Sequence, residues 1–409
     1  MKLFSRAVRK LKNIAHLFLA VIALFIYKFP SRKIKVIGVT GTDGKTTTSS
    51  YIYQLLNFSG KKAALISTVG VFMDGKKESL GFHVTTPSPF SINKYLKRAA
   101  EKNIEYVVLE VSSHALDQYR VYGIDFQIGI LTNVTEEHLD YHRSMKRYLD
   151  AKLRLLKVAK KVVLDVNGVN FNYIVKKIGM RKIHTYSLTD DSAQLCYSSI
   201  RNDSLENLTS YNKSNLMAAI LALDLLEIDR KTYWRSINKL DLPEGRLQYL
   251  QKKPFEVIID FAHTPNAFDA LLFEMKDRRG RLIHVFGSAG ERDRFKRPMM
   301  GKVSYKFSDI IILTGEDSRS EKVADINRDI KKGMGKIKEL STDGFDNLPK
   351  EKVLFEINDR REAIKFSLKI AKSGDTVIIS GKGPEESMNM GDGEVLWNDI
   401  AVTKQLLKK

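Results

Sequence analysis

Cysteine is almost absent: Cys196 is the only one in 409 residues. A single thiol excludes an intramolecular disulfide framework and a cysteine-only zinc site, and it favours a reducing compartment. Also missing near the N-terminus is the run of roughly 20 apolar residues that a bilayer crossing needs. The run there, Ile14–Tyr27, has 14 residues, with His16 as its polar member. No small-residue cleavage pattern follows it, which argues against a cleaved signal peptide. Acid is absent from residues 1–35, which carry nine bases: Lys2, Arg6, Arg9, Lys10, Lys12, Lys28, Arg32, Lys33 and Lys35. Nearly half of the net charge of +20 therefore sits in the first tenth of the chain. Fixed-period repeats, long low-complexity tracts and RNA- or DNA-binding signatures are lacking too, so no nucleic-acid partner is expected.

What is present is a chain long enough for two or three domains, with 43% hydrophobic residues, which excludes wholesale disorder. The Ile14–Tyr27 run reads as a short hydrophobic helix closed by Phe29-Pro30. It either packs on protein or lies against a membrane, so peripheral membrane contact through residues 1–30 is one expectation. Beyond Pro30, short apolar runs alternate with helical stretches. Lys35–Thr40, Tyr106–Leu109, Gln127–Leu131 and Lys161–Leu164 form a first series. Val257–Ile259, Leu282–Phe286, Ile310–Leu313 and Thr376–Ile379 form a second, after an interruption at Leu242-Pro243-Glu244-Gly245. The expected fold class is α/β: parallel sheets flanked by helices, with polar residues just after the strands, where such sheets bind ligands. The expected divisions are 1–33 (helix), 34–242 (nucleotide-binding domain) and 243–409 (second α/β domain).

Gly41-Thr42-Asp43-Gly44-Lys45-Thr46-Thr47 follows a predicted strand and precedes a helix predicted over about 46–58. Backbone N–H groups of such a turn cradle phosphates, its lysine reaches the outer ones, and the hydroxyl of Thr46 can bind Mg²⁺. The two glycines stand only three apart, closer than in an ordinary Walker A loop. Carboxylates at strand ends are the candidates to hold the metal, and Glu110 and Asp260 fit. His138 and His142 are four apart and could share a helical face, but they lack the metalloprotease H-E-x-x-H flanks. Taken alone, Lys152 reads as a solvated helix lysine.

Together these motifs resemble the Mur ligase family, and within it the UDP-N-acetylmuramyl-tripeptide synthetases. The similarity spans about 34–405. It rests on the phosphate loop, Thr85-Thr86-Pro87, Leu109-Glu-Val-Ser-Ser-His114 with Gln118 and Arg120, and Thr132-Asn133 through His142. It continues through Ala151-Lys152, Asn215, Gly245-Arg246, Asp260-Phe-Ala-His-Thr-Pro265, Arg292-Asp293, and Gly381-Lys-Gly383 with Glu385.

The resemblance implies a P-loop-type central domain and a Rossmann-like C-terminal domain. It also implies a cytoplasmic ligase of peptidoglycan precursor synthesis that uses ATP and Mg²⁺. Lys45 and Thr46, with Gly41, Thr42, Gly44 and Thr47, would hold the phosphates. Glu110 and His138 would help to hold Mg²⁺, and Lys152 would be carbamylated beside a second ion. Asn215, Arg246 and Asp260 would bind the nucleotide. Thr85, Thr86, Ser112, Gln118 and Arg120 would bind the UDP-muramyl dipeptide, and Arg292, Arg319, Gly381 and Glu385 the incoming amino acid. That amine has to be delivered by the second domain, so domain closure is expected.

Three departures stand out. The phosphate loop begins where the family keeps a separate uridine-contacting domain, and a basic apolar helix stands there instead. Glu316-Asp317-Ser318-Arg319 replaces the Asp-Asn-Pro-Arg of diaminopimelate-adding members, and Pro384 stands where histidine is usual. The rival readings are a Mur-type ligase with another acceptor, such as a folylpolyglutamate synthase or a ligase of lipid-linked precursors, and a membrane-associated P-loop ATPase without ligase chemistry.

Overall fold

A computed structural model describes residues 2–81, 84–200, 202–342 and 351–408. The chain divides into two compact units: Met1–Thr135 with His142–Pro243, and Glu136–Tyr141 with Glu244–Lys409.

The described residues of the first unit form nine strands: β1 (Lys35–Thr40), β2 (Ala63–Ser67), β3 (Gly70–Met73), β4 (Lys76–Glu78), β5 (Tyr106–Glu110), β6 (Phe126–Leu131), β7 (Lys161–Asp165), β8 (Ile183–Ser187) and β9 (Leu195–Cys196). Their order is β4-β3-β2-β5-β1-β6-β7-β8-β9. Pairing is parallel from β2 through β9, while β3 and β4 add an antiparallel edge. The central strands are apolar along their middles, with polar residues confined to their ends or nearly so, because helices cover both faces. Val36, Val107 and Leu109 enter one core, and Ile37, Val39 and Val108 enter the other. β1 lies between β5 and β6, so the turns after these three strands open at one edge of the sheet. The helix Lys2–Ile26 also belongs to this unit and packs on the helix Pro89–Glu101. Among the described residues, no helix is long and apolar enough to cross a membrane.

The second unit holds β10 (Gln248–Gln251), β11 (Glu256–Asp260), β12 (Leu282–Phe286), β13 (Ile310–Leu313), β14 (Lys338–Glu339), β15 (Val353–Glu356) and β16 (Thr376–Ser380). The order is β10-β11-β16-β12-β13-β15-β14, parallel except for β10 at its edge. β17 (Ser387–Asn389) and β18 (Glu394–Leu396) form a separate hairpin. Thr264 caps the helix Pro265–Glu274 by accepting from the Ala267 N–H at 3.1 Å, and Pro265 supplies a first turn that needs no donor.

Candidate active site

In the first unit, β1 runs into the glycine turn and the helix Lys45–Phe58 follows directly. Gly44 is the N-cap residue, with φ of 80°. A Cβ at this position would lie 2.3 Å from Oδ1 of Asn215, so glycine is required both by conformation and by the close approach of the helix Ser210–Leu225. Asn215 in turn accepts from the Thr48 hydroxyl at 3.2 Å. The turn is held from the far side by the segment after β6. Asn133 accepts from the Asp43 N–H at 2.9 Å, and the Thr132 hydroxyl donates to the Asp43 carbonyl at 2.6 Å. The Lys45 ammonium donates to the Thr42 carbonyl at 2.7 Å.

Glu110 ends β5, buried beside this turn. The Thr46 hydroxyl lies 3.0 and 3.1 Å from its two carboxylate oxygens, and Thr68 donates to it through N–H at 3.0 Å and hydroxyl at 3.1 Å. These are hard oxygen donors at a helix N-terminus, a set that suits Mg²⁺ shared with phosphate oxygens. Among the described residues no group of three or more His, Cys, Asp or Glu could hold a metal by itself, as is usual where Mg²⁺ is held largely by substrate and water. Thr68 carries no motif. It was illegible in the sequence because β2, which ends just before it, is only five residues long and rich in alanine and serine.

The Thr85, Thr86, Ser112, Gln118 and Arg120 cluster forms around the same strand end. The Thr86 hydroxyl donates to the Glu110 carbonyl at 3.0 Å and accepts from the Ser112 N–H at 2.9 Å. Arg120 donates to the Thr86 carbonyl at 2.7 Å and through two nitrogens to Oε1 of Gln118, at 3.0 and 2.8 Å. The Thr85 and Thr68 hydroxyl oxygens lie 3.2 Å apart.

Lys152 is not a solvated lysine. It is 1% exposed on the helix Met145–Val158, donates to the Gly41 carbonyl, and sits 4.3 Å from the Tyr148 ring centre. Nor do the two histidines share a helical face. His138 has φ of 56° and precedes the short helix Leu139–His142, whereas His142 is buried with Nε2 3.0 Å from the Ser113 hydroxyl.

In the second unit the polar groups also lie after strand ends. The Asp260 carboxylate accepts from the N–H groups of Leu247 and Ala262, each at 2.7 Å, and so pins the turn that carries Arg246, whose guanidinium lies 4.4 Å from the Phe261 ring centre. Burial raises the Asp260 pKa, against the pull of Arg246 and the two N–H donors. His263 places Nε2 3.1 Å from Glu137 and Nδ1 2.8 Å from the Phe261 carbonyl. Burial would raise the Glu137 pKa, but His138, His263 and Lys296 draw it well below the usual carboxylate range. The pairing of Glu137 with His263 spans 126 residues and has no local sequence signal.

Gly381, Glu385, Arg292 and Arg319 belong to one charged cluster. Lys382, fully buried, donates to Asp317 at 2.8 Å and to Glu385 at 2.5 Å. Burial lowers the Lys382 pKa, yet Glu385 and Asp317 together hold it above the ordinary value. Burial and then the charge of Arg319 lower the Arg292 pKa, opposed by Asp140, Asp317 and Glu385. Two guanidiniums that feel each other's charge are the kind of pair that suits a carboxylate. Arg319 is fixed by a bond to the Gly290 carbonyl at 2.8 Å and has φ of 51°. Glu316 is buried, its Oε2 accepts no hydrogen bond from the described residues, and burial raises its pKa. Gly381, with φ of 114°, leaves room for it: a Cβ there would lie 2.0 Å from Glu316 Oε2.

Comparison with known proteins places this geometry. The Mur ligase middle domain matches residues 39–223, and the Mur ligase glutamate ligase domain matches 245–383. The chain belongs to the Mur ligase family. It is 33% identical over 96% of its length to the UDP-N-acetylmuramoyl-L-alanyl-D-glutamate–2,6-diaminopimelate ligase 1 of Clostridium acetobutylicum, covering 82% of that protein. It is 36% identical over 95% of its length to the UDP-N-acetylmuramyl-tripeptide synthetase of Borreliella burgdorferi, covering 80% of it. A solved diaminopimelate ligase superposes with a TM-score of 0.58 at 29% identity, over 92% of this chain and 78% of that one. A bifunctional folylpolyglutamate synthase/dihydrofolate synthase from Yersinia pestis, solved with AMPPNP and Mn ion, gives 0.69 at 16% identity over 89% and 90% of the two chains, which is a likeness of fold. Both domain types and the α/β class therefore agree with the motif reading.

Proposed function

We propose that this Mur ligase family member is a cytoplasmic ATP-dependent acid–amino-acid ligase that adds the third residue to UDP-N-acetylmuramoyl-L-alanyl-D-glutamate. The carrying observation is the identity, above 30% across nearly the whole chain, to relatives named for that reaction. The middle domain would occupy about 34–242 and the amino-acid domain 243–409. An oxygen of the acceptor carboxylate attacks the γ-phosphorus of ATP, the bond to ADP breaks, and an acyl phosphate forms. The amine of the incoming amino acid then attacks the acyl carbon, loses a proton, and expels phosphate.

Both partners of the first step are anions. Lys45 and the N–H groups of the turn hold the phosphates, and Thr46 and Glu110, with His138, are assigned to the metal. Mg²⁺, when bound, offsets the charge of ATP and of the attacking carboxylate. Lys152 is assigned as a carbamate: its ammonium loses a proton, the free amine adds carbon dioxide and loses a second, and a buried cation becomes an anion beside Gly41. Asn215, Arg246 and Asp260 are assigned to the nucleotide, and Thr85, Thr86, Ser112, Gln118 and Arg120 to the muramyl dipeptide. Arg292 and Arg319 grip the α-carboxylate of the amino acid, with Gly381 and Glu385 beside it.

The test is to supply ATP, Mg²⁺, the UDP-muramyl dipeptide and one amino acid at a time, reading phosphate release and product mass. One amino acid is expected to stimulate phosphate release and give a product heavier by its residue mass. Absence of stimulation by every candidate, diaminopimelate and lysine included, overturns the reading. For Lys152→Ala, activity is expected to fall about a hundredfold or more and to return on adding a short-chain carboxylic acid. Full activity of the variant removes the carbamate from the scheme.

A further inference from the structure

The ligase chemistry leaves the helix Lys2–Ile26 without a role. One face of it is docked: Ala20, Ala23 and Leu24 are buried, and Leu24 occupies the space that a Cβ on Gly123 would need, at 2.3 Å. The opposite face is apolar and bare. Ile14, Phe18 and Phe25 are 66, 65 and 68% exposed, and Leu19 and Ile26 lie exposed beside them. Spacings of four and seven put Ile14, Phe18 and Phe25 on one helical stripe. From residue 14 to residue 26 that stripe extends about 18 Å. Exposed bases stand at both ends, Lys12 before it and Lys28, Arg32 and Lys33 after it. The Arg32 guanidinium lies 4.6 Å from the Phe29 ring centre, an amphipathic arrangement that keeps the charge outward.

From these residues we infer that the face is a docking surface for a bilayer bearing anionic phospholipid headgroups, on which the helix lies in the plane of the interface. Charge chooses this occupant. Residues 1–35 hold nine bases and no acid, so a second copy of the chain would bring like charges together, whereas anionic headgroups neutralise them. The apolar stripe supplies burial to the depth of one helix face, and the basic first half of the helix leaves no apolar stretch long enough to cross. The unit that carries the phosphate loop is thereby held at a membrane surface without being inserted in it.

The test uses the full chain, without ATP or acceptor, so it stands apart from the ligase assay. The protein is sedimented with vesicles of about one-third phosphatidylglycerol in phosphatidylcholine, and with pure phosphatidylcholine. Binding to the anionic vesicles is expected to exceed binding to the neutral ones by about tenfold or more, and to fall as salt rises. An Ile14→Glu/Phe18→Glu double variant, altered only on the bare face, is expected to keep the thermal midpoint and lose about tenfold or more of the vesicle binding. Absence of sedimentation with anionic vesicles, or equal sedimentation with both, overturns the inference from wild-type data alone. Undiminished vesicle binding by the folded double variant overturns it too. Self-association in vesicle-free buffer that the double variant abolishes would assign the face to a second copy instead.

Discussion

The two units build their polar clusters in opposite ways. Around the phosphate loop, one carboxylate, Glu110, is surrounded by neutral donors: the Thr46 hydroxyl, and the N–H and hydroxyl of Thr68. Around Gly381, charge faces charge. Lys382 joins Asp317 and Glu385, Arg292 feels the charge of Arg319, and Glu316 keeps an oxygen that accepts nothing from the described residues. Neutral donors fix a geometry at little electrostatic cost, as suits a nucleotide common to every turnover. A cluster with buried charge at its centre, here Glu316, Asp317 and Lys382, is stable only when its balance is right, so it responds to the charge pattern of what enters. On this account the first cluster supplies catalytic power and the second supplies selection.

Removing Lys45 is the largest expected break. Lys45→Ala should lower kcat/KM for phosphate release by about a thousandfold or more, because its ammonium would meet the outer phosphates. A loss within about tenfold would detach the loop from the chemistry. Next comes Arg292→Ala, expected to raise KM for the amino acid about a hundredfold while KM for ATP changes by less than about twofold. Equal changes in both constants would erase the division of labour.

Gly381→Ala tests packing. Its Cβ would lie 2.0 Å from Glu316 at a φ of 114°, so a stability loss of about 1–3 kcal/mol is expected in thermal or denaturant unfolding. The smallest effect is expected for Glu316→Gln. Burial raises the folded-state pKa of Glu316 above the ordinary 4.5, so above that pH the folded chain binds more protons than the unfolded chain. The stability that this side chain contributes is present below 4.5 and is lost as pH rises through the folded value. The melting temperature of the glutamine variant should therefore gain on wild type as pH is raised from about 4 to about 8. The reverse trend would mean that Glu316 is held as a stabilising anion.

The sequence made the strand-turn-helix frame legible because parallel strands buried on both faces are continuous apolar runs. The Lys35–Thr40 run and the helix after Gly44 appear where the pattern placed them. Strands of two to five residues with alanine, serine or charge, such as β2, β4 and β14, gave no such run. The contiguous loop 41–47 was legible for the same reason that it works: one turn of chain carries it. Contacts between distant segments were not. Nothing local distinguishes a buried Lys152 from a solvated one, marks Thr68 as a partner of Glu110, or joins Glu137 to His263. The N-terminal helix was visible as a basic apolar run, but only the fold shows which of its faces is covered.

The most direct measurement of the ligase account follows one oxygen atom. With the acceptor carboxylate labelled with heavy oxygen, the acyl phosphate route carries one labelled oxygen into the released phosphate for each amide formed. Label found in phosphate, in proportion to product and only when the amino acid is present, is the predicted result. Phosphate released without label would mean that water attacks ATP, and would contradict ligase chemistry at this site.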